Sequence, residues 1–140
     1  MFLLAALGGA ALVYSSPRPL MVAPRAHQLG LLSQPAECAS EQYLACGVKL
    51  LNAGKNDLGV AAIRAAADEG DNVARRALGL MLIRGEYVEQ DQAAAVRWFR
   101  KAAYQGDRQS MSILATVYER GIGVAPDARQ SAQWRNRAAR

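Results

Sequence analysis

The sequence predicts an all-α fold, a short α-α superhelix (α-solenoid) of about three antiparallel helix hairpins, and three observations carry that prediction. The first is an internal repeat. Residues 74–103 laid over residues 110–139 hold a 36-residue register without a gap, placing Leu78 on Leu114, Leu82 on Tyr118, Gly85 on Gly121, Val88 on Val124, Asp91 on Asp127 and Trp98 on Trp134. Coincidences that span Gly, Asp, Trp and apolar positions at one spacing do not follow from an alanine-rich composition, and they mark a repeat protein. The second is periodicity. Ala74, Ala77-Leu78 and Met81-Leu82 recur at the three-and-four spacing that gives a helix one apolar stripe. The third is punctuation: Gly85 and Gly121 stand where a helix must stop, and Asp91 and Asp127 stand where a side-chain oxygen can cap the next one.

From the start of the chain, residues 2–14 are uncharged and mostly apolar. As a helix they would reach roughly 20 Å, short of the ~30 Å hydrocarbon core, so residues 1–16 suit a signal peptide or an N-terminal membrane anchor. Arg18 follows the apolar run and no cation precedes it, the reverse of the usual charge order for export. Residues 17–37 form a Pro-rich linker with prolines at 17, 19, 24 and 35. Two helical stretches follow, 41–53 and 57–68, separated by Gly54-Lys55-Asn56, and they make a degenerate first repeat over about 40–69. Its second helix aligns at 36 residues with Trp98-Phe99 and Ala102-Ala103, whereas its inter-helix loop is about five residues shorter. Two full repeats, about 70–105 and 106–140, complete a domain over 38–140. Within each, a helix such as 73–84 is followed by a second, alanine-rich one in which small residues let the backbones approach and a tryptophan fills the gap. Trp98 and Trp134 are therefore expected as equivalent wedges between hairpins, with Trp134 contributing less because it lies in the final helix.

The set Ala74, Leu78-Gly79, Leu82, Gly85, Val88, Asp91, Trp98 and Ala102-Ala103 resembles the Sel-one-like repeat, a relative of the tetratricopeptide repeats. The second copy, Ser110, Leu114-Ala115, Tyr118, Gly121, Gly123-Val124, Asp127, Trp134 and Ala138-Ala139, departs only where Ser and Ala replace Ala and Gly. The resemblance implies a superhelical scaffold for protein–protein contacts, and it implies no reaction because the matching residues pack and turn. Secreted cysteine-rich members of that family staple repeats with closely spaced cysteines, and Cys38 and Cys46 resemble that habit. Within one straight helix these two would lie roughly 12 Å apart, beyond disulfide reach, so a bridge requires Cys38 to lie outside the helix. Two reduced thiols are the alternative. Some cysteine-rich relatives bind or hydrolyse β-lactams, which makes that the enzymatic alternative to a scaffold.

The charge sits at the ends of the chain. Residues 1–36 carry two Arg and no acid, residues 129–140 four Arg and no acid, and residues 37–128 eleven bases against twelve acids. The near-neutral body argues against a face that reads a nucleic-acid duplex. No catalytic, cofactor-binding or metal-ligating set is expected either: the single histidine, His27, lies in the linker with no Cys, Asp or Glu at ligand spacing.

The functional expectation is a non-enzymatic scaffold of the cell envelope, exported or membrane-anchored, with a cytoplasmic protein as the alternative. It binds a protein partner, with membrane contact through residues 2–16, as a monomer or as a subunit of a hetero-complex. A small structural subunit held by its end hairpins is the rival. With Gly47, Leu78 and Leu114 set as packed positions, a tetratricopeptide-like groove is expected to expose Gln42, Lys49, Arg76, Arg84, Gln109, Ser112, Thr116 and Arg120. Arg84 and Arg120, 36 apart, would form neighbouring rungs for an acidic segment or a C-terminal carboxylate.

Overall fold

The structure is a computed structural model that describes Cys38 and residues 42–140. The export or anchor segment 1–16 and the linker 17–37 lie outside the described residues. Six helices follow in order: α1 (Tyr43–Asn52), α2 (Asn56–Glu69), α3 (Asn72–Arg84), α4 (Gln92–Tyr104), α5 (Arg108–Arg120) and α6 (Ala128–Ala139). Each helix packs against its neighbours in the chain, so α1/α2, α3/α4 and α5/α6 are hairpins and α2/α3 and α4/α5 are the junctions between them. This is the expected solenoid, and its core runs as one cluster from Tyr43 through Ile63, Leu78, Phe99 and Leu114 to Trp134.

The punctuation works as the residue types dictate. Asp91 accepts from the Ala94 amide at 2.8 Å, and Asp127 accepts from the Arg129 and Gln130 amides at 2.9 and 3.0 Å, which satisfies donors that a helix N-terminus leaves free. Asp71 and Asp107 cap α3 and α5 in the same way. None of the described helices is long and apolar enough to cross a membrane.

Hairpin one departs from the other two in its connection. Three residues, 53–55, join α1 to α2, against seven between α3 and α4. A Cβ on Gly47 would lie 2.6 Å from Ile63, and one on Gly59 would lie 2.8 Å from Leu51, so the two backbones cross where neither carries a side chain. A Cβ on Gly79 would meet Phe99, the repeat equivalent of Ile63. Gly47 therefore takes the place of Gly79 rather than Leu78, and the first-helix register of hairpin one shifts by one residue from the expected one.

The tryptophans are not equivalent wedges. Trp134 is 3 % exposed and Trp98 only half-buried, while Phe99 beside it is sealed completely. The cause lies one repeat upstream of each. Tyr104 meets the Trp134 ring edge-on at 5.4 Å between centroids, whereas the residue 36 positions before Tyr104 is Asp68, which offers Trp98 no apolar cover.

Candidate partner-binding surfaces

Cys38 precedes α1, as a bridge requires, and its Cα lies 5.8 Å from that of Cys46 in a disulfide. The bond ties the approach to the domain onto the second turn of α1, so the chain enters hairpin one at a fixed point.

The eight residues expected in a groove all lie on or beside first helices, but they do not form one wall. Arg76 is committed to the fold. Its guanidinium donates to the Asp107 carboxylate at 2.5 Å, across the junction between hairpins two and three, and the two side chains are only 18 % and 14 % exposed. Burial raises the pKa of Asp107, and the hydrogen bonds from Arg76 and Ser110 with the Arg76 charge outweigh it, holding the carboxyl below its ordinary 3.8. Asp107 thus serves two helices at once, because its other oxygen caps α5 through the Ser110 amide at 2.9 Å. The expectation that Arg76 faces a partner is corrected accordingly.

Ser112 and Thr116 are exposed and line a shallow cleft of about 310 Å³ with Arg135 and Ala138-Ala139. They occupy the places of Arg76 and Leu80, and Arg135 occupies that of Phe99; in hairpin two this is the face on which the next hairpin packs. Both belong to the outer face of hairpin three. Gln42 stands just before α1 on a cleft of about 460 Å³ with Tyr43, Leu44 and Ala66. Lys49 and Gln109 are exposed on α1 and α5. Arg84 and Arg120 are exposed at the ends of α3 and α5, with Arg84 3.5 Å from Glu86. A cation in the last turn also complements the helix dipole.

One further concavity was not among the expected sites. A cleft of about 700 Å³ lies at the junction of hairpins one and two, lined by Arg64 of α2, Leu82 of α3, Val88 of the following loop, and Arg97, Trp98 and Lys101 of α4. Lys101 Nζ sits 4.1 Å from the centroid of the Trp98 ring. Asp91 and Glu89 stand on the same rim. At the second junction the equivalent space is filled. Tyr118 replaces Leu82; both are buried, but the larger Tyr118 has Arg100, the equivalent of Arg64, stacked over its ring and donating to its hydroxyl. The loop differs too. Gly123 has φ +68° and presses so closely on the start of α4 that a Cβ would fall 2.5 Å from the backbone of Gln92. Its counterpart Tyr87 holds φ +63° with a full side chain, 52 % exposed, a conformation that costs a non-glycine residue on the order of 1 kcal/mol. The signal for this cleft was present in the sequence as two breaks in the repeat: Asp68 against Tyr104 and Leu82 against Tyr118.

Comparison with known proteins agrees with the repeat boundaries read from the helices. Residues 72–107 and 108–140 each match the model of the Sel1 repeat. A crystal structure of a Sel1 repeat protein from Oxalobacter formigenes superposes with a TM-score of 0.67 at 27% identity, covering 81% of this chain and 88% of that one. The structure of c5321, a protective antigen present in uropathogenic Escherichia coli strains and displaying an SLR fold, superposes with a TM-score of 0.66 at 28% identity; the match covers 71% of this chain and 22% of that protein. No curated protein matches the chain in sequence.

Proposed function

Because the chain belongs to the Sel1 repeat proteins, a group of helical scaffolds for protein–protein contact, we propose that it is a non-enzymatic adaptor that holds a partner protein on the exposed side chains of its first helices. The observation that carries the reading is the pair Arg84 and Arg120, which occupy the same place in consecutive repeats and are both exposed. Two guanidinium groups on adjacent rungs suit a partner's acidic segment or C-terminal carboxylate, which they grip through paired hydrogen bonds. The adaptor works outside the reducing cytoplasm. The Cys38–Cys46 bridge supports that placement, since disulfides persist in oxidising compartments, and residues 1–16 then serve as its export signal or membrane anchor.

The test is a pull-down with the double variant Arg84→Glu, Arg120→Glu beside the control Arg129→Glu. Circular dichroism and melting should be unaltered in both, and partners should be lost only from the double variant. Retention of every partner would overturn the assignment and leave the end hairpins of a small structural subunit as the contact. Incubation of the pure protein with a chromogenic cephalosporin addresses the β-lactam reading directly, and the adaptor reading expects no turnover.

A further inference from the structure

We propose that the cleft between hairpins one and two is a docking site for an acidic, extended segment of a partner protein, with carboxylates on Arg64, Arg97 and Lys101 and an apolar side chain against Leu82 and Val88. The inference rests on the adaptor reading for the nature of its ligand and adds a second site, whose cations come from α2 and α4 rather than from Arg84 and Arg120.

Three observations point the same way. The first is charge. Arg97 and Lys101 are four apart on α4 and exposed, and Arg64 reaches the same cleft from α2. Like charges at that spacing repel by a few tenths of a kcal/mol in the empty protein, and an anion between them turns the repulsion into attraction. Two carboxylates of the protein share the rim, and neither meets this need. Asp91 is directed to the amide of Ala94 at the start of α4, and Glu89 is exposed on the loop. Glu89 instead discriminates: it repels a ligand that is acidic along its whole length and favours one whose acidic and apolar residues alternate.

The second is shape. An extended chain places alternate side chains on opposite sides, so acidic residues can face the three cations while every other residue lies on the half-buried Val88 and the edge of the buried Leu82. A flat membrane surface cannot enter a concavity between two hairpins, and three cations in a near-neutral body are few for a nucleic-acid track. The chain's own residues 1–36 carry two arginines and no acid, so that segment lacks the complementary charge.

The third is the pattern of replacement at the junction. Where the second junction has Tyr104 and Tyr118, the first has Asp68 and Leu82. Each exchange puts a smaller side chain at the first junction than at the second.

The experiment uses a synthetic peptide of alternating glutamate and leucine and its glutamine counterpart, titrated against the disulfide-bonded protein. Trp98 fluorescence, taken as the difference between the wild type and Trp98→Phe, reports occupancy of the cleft. The glutamate peptide should produce a saturable change that weakens as salt is added, and the glutamine peptide should not. Arg97→Glu and Arg64→Ser, both at exposed positions, should each weaken binding by about tenfold with melting unchanged, and Arg84→Glu with Arg120→Glu should leave it intact. Equal response to both peptides, or binding undiminished in Arg97→Glu, would overturn the proposal, as would a Trp98 signal that appears only with concentration-dependent self-association. Failure here with partner loss in the Arg84/Arg120 variant sinks the cleft and spares the adaptor; the opposite pattern does the reverse.

Discussion

The two junctions of this solenoid share a backbone plan and differ in what fills it. At the second, between α4 and α5, an Arg76–Asp107 ion pair, a Tyr104–Trp134 ring pair and an Arg100–Tyr118 stack lie side by side. At the first, between α2 and α3, Arg75 donates from Nε to the Ala67 carbonyl at 2.8 Å and closes the end of α2, but a cleft stands where the aromatic residues would be. The backbone helices are as regular on one side as on the other. The difference teaches that repeat identity sets the path of the chain, while the residues that break the repeat decide whether a junction is a core or a site.

The largest expected effect separates the tryptophans. Trp134→Ala removes a sealed indole and should lower stability by about 3–5 kcal/mol, whereas Trp98→Ala should cost about half as much or less because that ring is already partly in water. Urea unfolding of the two variants measures it, and equal losses would erase the distinction between the junctions.

Next is the Cys38–Cys46 bridge, which closes so short a loop that its removal should cost about 2–3 kcal/mol. The loss should be local. Hydrogen exchange after reduction should rise in α1 and α2 and stay unchanged in α5 and α6, because stacked hairpins couple chiefly to their neighbours. Uniform acceleration would show that the first junction transmits as strongly as the second.

Asp107→Ala should cost about 1–2 kcal/mol, since it removes the α5 cap as well as the ion pair. The pH dependence has a definite sign. Asp107 titrates lower in the folded protein than in the unfolded chain, so its contribution is complete above about pH 4 and is lost as pH falls through the folded value. Asp107→Asn should therefore flatten the acid limb of the melting curve, and an unaltered limb would remove this carboxylate from the account of the second junction.

The smallest effect is a gain. Tyr87→Gly should raise stability by about 0.5–1 kcal/mol by relieving the left-handed conformation, which a thermal melt measures. The homologous exchange Gly123→Tyr should do serious damage, because Gln92 stands where the side chain would begin.

The elements whose causes are local were legible in the sequence. Gly85 with Asp91, and Gly121 with Asp127, bracket their loops by conformational freedom and capping chemistry that single residues carry, and the helices follow within a residue or two of the expected bounds. What depends on two repeats at once was not legible from either alone. Trp98 and Trp134 look alike until Asp68 and Tyr104 are set against them, and Arg76 looks like an exposed cation until the superhelical turn brings Asp107 beneath it from 31 residues away. The groove expected on the first helices assumed that one helix face points one way throughout. In fact Arg76, Ser112 and Thr116 take the face that turns toward a following hairpin.

The Arg76–Asp107 bond and the aromatic contacts tie hairpins two and three together through side chains, and the first junction has a cleft where those rings would stand. Bending of the molecule should concentrate there. The separation between the Arg84 and Arg120 rungs should then hold nearly constant, hairpin one should move against it like a jaw, and a segment bound in the cleft should act as the wedge that sets its angle. Small-angle scattering of the peptide-bound protein should show a narrower spread of curvature than the free form.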